Sequence, residues 1–333
     1  MANLLSKIFG GLKKKKSVLG VDISSSTIKV VQVRYEKGKA VLETYGELAL
    51  GPYSGLERGQ AATLPIEKMT AALKDLLKES NVTTKNCGVA IPMSASLINV
   101  IKMPNLDKKR LQTMVPIEMR KYIPVPISEV ILDWKPVPKE FVTLTPASEI
   151  EEETKTLDSR DKKKKKKTLD KQEIFVVAIH KETIENYSKI IKDVGLDTSF
   201  FEVEIFSTIR TISGQPGKSM MIMDFGAATT KVYIIESGIV RDSHVINRGS
   251  QNITLALSKA LGISLNEAER MKRENGLLKE YPDSYQASSL IIDGIFSEAN
   301  RVLLNYQKEF NKSISKVVLS GGGSVIEGLL ETA

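Results

Sequence analysis

From residue 18 the chain reads as short apolar runs broken by polar turns. VLGVDI, then SSST, then IKVVQV and KAVLETYGELAL predict three strands with a tight turn between the first two. Residues 66–79, IEKMTAALKDLLKE, switch to helical period, with Met69, Leu73, Leu76 and Leu77 on one face. CGVAIPM, LINVIKMP and EVILDWKPV read as further strands, and LDKKRLQTMVPIEMRKYI as a helix that contains Pro116. Further on, EIFVVAIH is a strand and KETIENYSKIIKDVGL a helix stopped by Gly195. From Ser219 strand text returns in MMIMDF and KVYII, followed by helical SQNITLALSKALG, SLNEAERMKRENG and SLIIDGIFSEANRVLLNYQKEF. SKVVLSGGGSVIEGLLE closes as strand, glycines and helix start. Strand and helix text alternating in two sections predicts an α/β protein.

Two stretches break this order. In MANLLSKIFGGLKKKKS, Leu4, Leu5, Ile8, Phe9 and Leu12 share one side of a helical wheel and a lysine block follows. That order suits a helix in the headgroup region of an anionic membrane; Gly10 and Gly11 weaken it, and a frayed, solvated start fits the same residues. Residues 139–172 carry an acidic EIEEE run and then DKKKKKKTLDK, with few apolar residues and no period, which predicts a loop excursion.

Composition narrows the classes. The 333 residues allow two compact units, and 41% hydrophobic with 26% charged residues excludes disorder throughout. The net charge of +8 is local: without the ten lysines at 13–16 and 162–167 the rest carries −2. These tracts lack interleaved aromatics and any recognition module, so nucleic acid is not expected as a partner. The single Cys87 cannot form an intramolecular disulfide, and His180 and His244 have no cysteine partners at zinc spacing. No run approaches the ~20 apolar residues that span a bilayer and no secretory signal opens the chain, so a cytoplasmic protein is expected.

One phrase occurs twice. Asp22-Ile-Ser-Ser-Ser-Thr-Ile-Lys29 aligns without a gap on Asp224-Phe-Gly-Ala-Ala-Thr-Thr-Lys231, each flanked by apolar runs. In each copy a buried strand ends at an aspartate and a turn of small residues exposes backbone N–H groups, a nest that accepts a phosphate oxygen. Two nests, one per half of the chain, can hold one polyphosphate from opposite sides, and Asp22 and Asp224 would then serve a hydrated Mg²⁺, which takes few protein ligands. A third element, Ser320 through Ser324 with three glycines, lies between a strand and a helix start, where backbone can approach an anion. SGQPGKSM, residues 213–220, imitates a phosphate loop but puts Ile212 where the first glycine belongs, and MMIMDF continues as a strand rather than a helix. It reads as a polar turn.

These elements, in this order, resemble the actin-like ATPase superfamily. KYIPVPISEVILDW, IPMSASLINVIKMP, FEVEIFSTIRTI and NRGSQNITLALSKALGISLNEAERMKREN are similar, within it, to the PilM family of type IV pilus assembly proteins, relatives of the division protein FtsA. The resemblance implies an α/β, actin-like (ribonuclease H-like) two-lobed ATPase fold with an inserted small α+β subdomain. It divides the chain into an amphipathic, basic segment at 1–17, a first lobe at 18–90, the insertion at 91–200, and at 201–333 the remainder of the first lobe with the second. It implies ATP and Mg²⁺, with Asp22 and Asp224 as the catalytic pair holding the metal through water. Cofactor contacts are then expected from Ser24, Ser25, Ser26, Thr27 and Lys29, and from Gly226, Ala227, Thr229 and Thr230 in the second copy. Gly321, Gly322 and Gly323 join them, as do Glu269, Lys272 and Arg273, which match the adenosine-contacting helix of the related heat-shock chaperone ATPases.

The implied partner is the cytoplasmic N-terminal peptide of a PilN-like membrane protein, received in a cleft by the insertion. That places the protein at the inner membrane, with residues 1–16 as a further contact to anionic lipid, and leaves self-association open. Ser24 departs from the family's Asp-x-Gly and brings a Cβ close to the phosphate, so ATP binding with at most slow hydrolysis is expected. The family's final strand and helix would lie beyond Ala333, so the C-terminal edge is expected to be incomplete. Two rivals share the fold: a small-molecule kinase, for which no carboxylate base besides the two aspartates stands out, and an FtsA-like membrane-tethered division protein.

Overall fold

The computed structural model describes residues 17–138, 171–212 and 219–333. The amphipathic start, nearly all of the charged excursion and the turn at 213–218 lie outside these residues. In chain order the strands are β1 (Ser17–Ile23), β2 (Thr27–Glu36), β3 (Lys39–Ala49), β4 (Asn86–Ile91), β5 (Ser96–Pro104), β6 (Val130–Pro136), β7 (Lys171–His180), β8 (Asp197–Val203), β9 (Ser219–Phe225), β10 (Thr230–Glu236), β11 (Ile239–Ile246) and β12 (Lys316–Ser320). The helices are α1 (Ile66–Glu79), α2 (Lys108–Met119), α3 (Lys181–Asp193), α4 (Glu204–Ile212), α5 (Ser250–Leu261), α6 (Leu265–Asn275), α7 (Pro282–Phe310) and the single turn α8 (Leu329–Thr332).

The chain packs into two compact units, Met1–Ser96 with Lys181–Thr211 and Leu97–His180 with Ile212–Ala333. In the first, the sheet runs β3-β2-β1-β4-β8, antiparallel through β1 and parallel from β1 to β8. Alternation in β1 and β2 buries Leu19, Val21, Ile23, Ile28 and Val30 on one face, against Leu73 and Leu76 of α1 and Ile190 and Ile191 of α3. Residues 181–200, placed in the insertion by the sequence reading, belong to this unit, where β8 pairs in parallel with β4 and α3 packs beside α1. DTSFFEV gave no strand signal of its own; its register partner β4 supplies the order.

The second unit holds two sheets. β11-β10-β9-β12 is covered by α5, α6 and α7, with Met221, Met223, Phe225, Val232 and Ile234 meeting Leu257, Ile292 and Ile295. β5-β7-β6 packs on α2 through Ile101, Met103, Leu111, Val115 and Val176, and carries the only tryptophan, Trp134, on β6. Arg241 on β11 joins the two: its guanidinium donates to Glu173 on β7 at 2.6 Å and lies 3.3 Å from Glu236, with all three side chains buried. Glu236 also receives Lys312.

Candidate functional site

The two copies of the repeated phrase fold the same way. Asp22 stands opposite Lys29 across β1 and β2, and Asp224 opposite Lys231 across β9 and β10. Each turn closes on the same backbone bond, Ser24 N to Thr27 O at 2.9 Å and Gly226 N to Thr229 O at 3.0 Å. Each aspartate has a parallel neighbour on its other side, Ala90 on β4 and Ser320 on β12, so the repeat extends to a third strand.

The turn carbonyls are turned inward in both. Ser25 and Ser26 accept from Ala62 and Leu50 at 2.8 Å, and Gly226 and Ala227 accept from Ser250 and Gln251, the start of α5, at 3.0 Å. A trans peptide sets the next N–H antiparallel to its carbonyl, so the amides of Ser26, Ala227 and Ala228 point away from these inward bonds. That is the concave donor arrangement an anion needs.

The turns differ at one position. Ser24 Oγ donates to Thr27 O at 3.0 Å and accepts from Thr27 N at 3.3 Å, so its hydroxyl stitches the first turn closed. At the equivalent Gly226 a Cβ would lie 2.8 Å from Thr229 O, and the second turn stays bare backbone. The lysines differ as well. Lys231 sits 3.5 Å from Asp224 in a largely covered pair, whereas Lys29 turns to Glu47 at 3.7 Å across the half-exposed edge of β3. Thr230, an expected contact, is fully buried and donates to Arg248 O at 2.9 Å.

In the second unit the other expected elements gather around Asp224. Gly321 has φ +82°, and a Cβ there would stand 2.4 Å from Asp224 Oδ1 and 2.5 Å from Phe225 O. The three glycines form a 3₁₀ turn (Gly322–Val325), with Ser324 Oγ donating to Gly321 O at 2.7 Å, rather than the helix start expected there. Glu269 and Lys272 on α6 are buried and pair at 2.5 Å, and Lys272 also reaches Thr254 Oγ1 at 3.1 Å and Ser250 O at 3.4 Å. Lys272 thus touches the residue whose amide caps the second turn. Arg273 donates to Glu269 at 2.9 Å while its side chain is 69% exposed, which makes it the member of the trio open to a ligand.

Burial pushes the Glu269 carboxyl up, but Lys272, Thr254 and Arg273 outweigh it and hold it below the usual range. Burial holds Lys272 below its ordinary value, with Glu269 pulling the other way.

Four contributors escaped sequence reasoning. Gly249 admits no Cβ, which would meet Ala227 O at 2.4 Å, and Thr254 links α5 to Glu269 at 2.7 Å. In the first unit, burial pushes the Tyr187 hydroxyl up, and the charges of Asp22 and Glu204 push it further. Glu204 in turn accepts from Met93 N at 2.7 Å, at the end of β4. Only the NRG preceding α5 carried a signal, a glycine at a helix start.

Among the described residues no group of three or more His, Cys, Asp or Glu gathers as a metal cage. Single, half-buried carboxylates at Asp22 and Asp224 fit an ion that keeps most of its water, as Mg²⁺ does.

Comparison with known proteins gives the family. The sequence profile described as type IV pilus assembly protein PilM matches residues 20–147 and 151–333. The cell division protein FtsA of Neisseria meningitidis serogroup B is 24% identical over 320 residues, covering 86% of this chain and 74% of its own. Among solved structures, one described as the PilM-PilN type IV pilus biogenesis complex superposes with a TM-score of 0.71 at 22% identity, over 96% of this chain and 86% of that one. The ethanolamine utilization protein EutJ of Carboxydothermus hydrogenoformans follows with 0.55 at 14% identity, over 99% and 87%. The fold is therefore actin-like, and this chain belongs to the PilM family of type IV pilus assembly proteins.

Proposed function

We propose that this protein is a cytoplasmic ATP-binding scaffold of a type IV pilus assembly complex at the inner membrane. The observation that carries the nucleotide reading is the duplicated hairpin, in which the same aspartate, cross-strand lysine and turn bond recur once in each unit. Mg²⁺ would neutralise charge on the β- and γ-phosphates when bound. The chain's own residues supply the rest. The outward amides of Ser26, Ala227 and Ala228 receive phosphate oxygens, Asp22 and Asp224 hold metal-bound water, and Lys231, already beside Asp224, adds positive charge. Gly321 to Gly323 let backbone close on the ligand, and the exposed guanidinium of Arg273 offers a plane for the adenine.

Ser24 makes turnover slow at most, because its hydroxyl is tied into the turn where bare backbone would otherwise meet phosphate. Calorimetry with MgATP on the intact chain and on Asp224→Ala tests the reading. The variant is expected to bind about tenfold or more weakly, ~1.4 kcal/mol; equal affinity would refute it.

Membership of the family, and likeness to a PilM in complex with PilN, support the cytoplasmic tail of a PilN-like membrane protein as partner. Among the described residues no helix is long and apolar enough to cross a membrane. Attachment would then come from that tail, with residues 1–16 adding contact to anionic lipid. A synthetic tail peptide retained by the immobilised full chain is the expected result, and indifference to the peptide would remove the partner.

A further inference from the structure

Lys272 spends its ammonium inside the protein. Such a group has three N–H donors, and Lys272, only 5% exposed, directs them to Glu269 Oε2 at 2.5 Å, Thr254 Oγ1 at 3.1 Å and Ser250 O at 3.4 Å. Thr254 is buried and committed in the same way: its one hydroxyl proton goes to Glu269 Oε2 at 2.7 Å, and Oγ1 accepts from Lys272. The other oxygen of Glu269, Oε1, accepts from Arg273 Nε at 2.9 Å. Helical spacing brings these groups together. Ser250 and Thr254 share one face of α5 at i,i+4, while Glu269, Lys272 and Arg273 share one face of α6 at i,i+3 and i,i+4.

An ion pair buried in this way adds little net stability, because desolvation offsets the attraction. What it fixes is direction, since each donor must find its acceptor. That direction is passed to the second turn. Lys272 and Thr254 hold the start of α5, where the Ser250 and Gln251 amides donate to Gly226 O and Ala227 O at 3.0 Å. Gly249 leaves the room for this approach, as a Cβ there would stand 2.4 Å from Ala227 O. Those two carbonyls decide where the amides that follow them, of Ala227 and Ala228, point. We propose that Lys272 and Thr254 are positioning residues of the second turn rather than ligand contacts: by fixing the start of α5 they aim the turn's amides at a phosphate. This rests on the proposed nucleotide for its ligand, though not for the geometry of the turn.

Inorganic tripolyphosphate separates the two roles, because it carries phosphates and no nucleoside. Thr254→Val removes the hydroxyl and keeps the branched shape. In the full chain it is expected to weaken magnesium tripolyphosphate and MgATP alike, by about tenfold, as loss of a hydrogen bond to a charged group would; Thr254→Ser is expected to restore both. Weaker MgATP with unchanged tripolyphosphate would make these residues part of a nucleoside site and overturn the positioning, as would equal binding of both probes by the variant and the parent. A second measurement needs no ligand. Amide hydrogen exchange at Ser250 and Gln251 is expected to run about tenfold faster in Thr254→Val than in the parent or in Thr254→Ser, while β1 and β2 exchange as before. Unaltered exchange at those two amides overturns the positioning even where both probes bind. A parent that binds neither probe removes the nucleotide reading, and the exchange rates then decide the positioning by themselves.

Discussion

Gly321 joins local backbone to chemistry most directly. Its positive φ and the missing Cβ let the β12 turn close on Asp224, so Gly321→Ala adds both strain and a clash. A loss of about 1–3 kcal/mol in urea unfolding is expected, together with weaker MgATP binding by calorimetry. Glu269 and Lys272 invite the complementary test, since Lys272→Met leaves the buried Glu269 carboxylate with only the exposed Arg273 as its cation. Its cost is expected to be up to about 3 kcal/mol, and Lys272→Met with Glu269→Leu should recover much of it. Because Glu269 is held below its ordinary value of 4.5 in the folded state, its stabilisation is complete above that pH and fades as pH falls beneath it. Unfolding free energies at pH 6 and pH 3.5 should therefore differ less in Glu269→Gln than in the parent. The paired aspartates were legible because their signal is a gapless repeat, visible without any fold. Ser250 and Thr254 were not, because their roles arise only when the start of α5 meets the second turn, and Gly249 showed only as a glycine at a helix start.

Between elements, Arg241 carries the most consequence. It ties β11 to β7 of the inserted sheet, with Glu173 and Glu236 both buried against it. Arg241→Met strips Glu173 of its cation while Glu236 keeps Lys312, and is expected to cost about 3–5 kcal/mol. Cleavage by a protease added to the native protein should shift toward β5 to β7, and Arg241→Met with Glu173→Met should reverse most of that shift. Helical period found α1, α5 and α6 because their buried positions recur on one face. The start of α7 was hidden: PDSYQASS is polar, and Ser284 and Ser288 are buried where a pattern reader expects apolar side chains. The glycine run was read as leading to a helix, but its residues turn within a single 3₁₀ step, with Gly321 pressed on Asp224. A run of glycines marks where backbone is free to bend and leaves the bend to its neighbours.

At the scale of the molecule, the proposed nucleotide reading gives each hairpin its own test. Asp22→Ala is expected to weaken MgATP binding by about tenfold, comparably to Asp224→Ala, ~1.4 kcal/mol each. Tail-peptide binding, measured on the same variants without nucleotide, should be unchanged if the partner's site is separate. The two-section pattern was readable along the chain, since each section repeats its own strand order; the true extent of the first unit was not, because β8 is recruited from 106 residues beyond β4, counting from Ile91 to Asp197. The order in which the units are written has a consequence during synthesis. A nascent chain that has emitted β1 to β4 must wait for that intervening stretch before its fifth strand leaves the ribosome, a delay of about 5–20 s at ordinary elongation rates. Throughout that interval the parallel flank of β4 stands unpaired, and a chaperone that shields strand edges would find its client there.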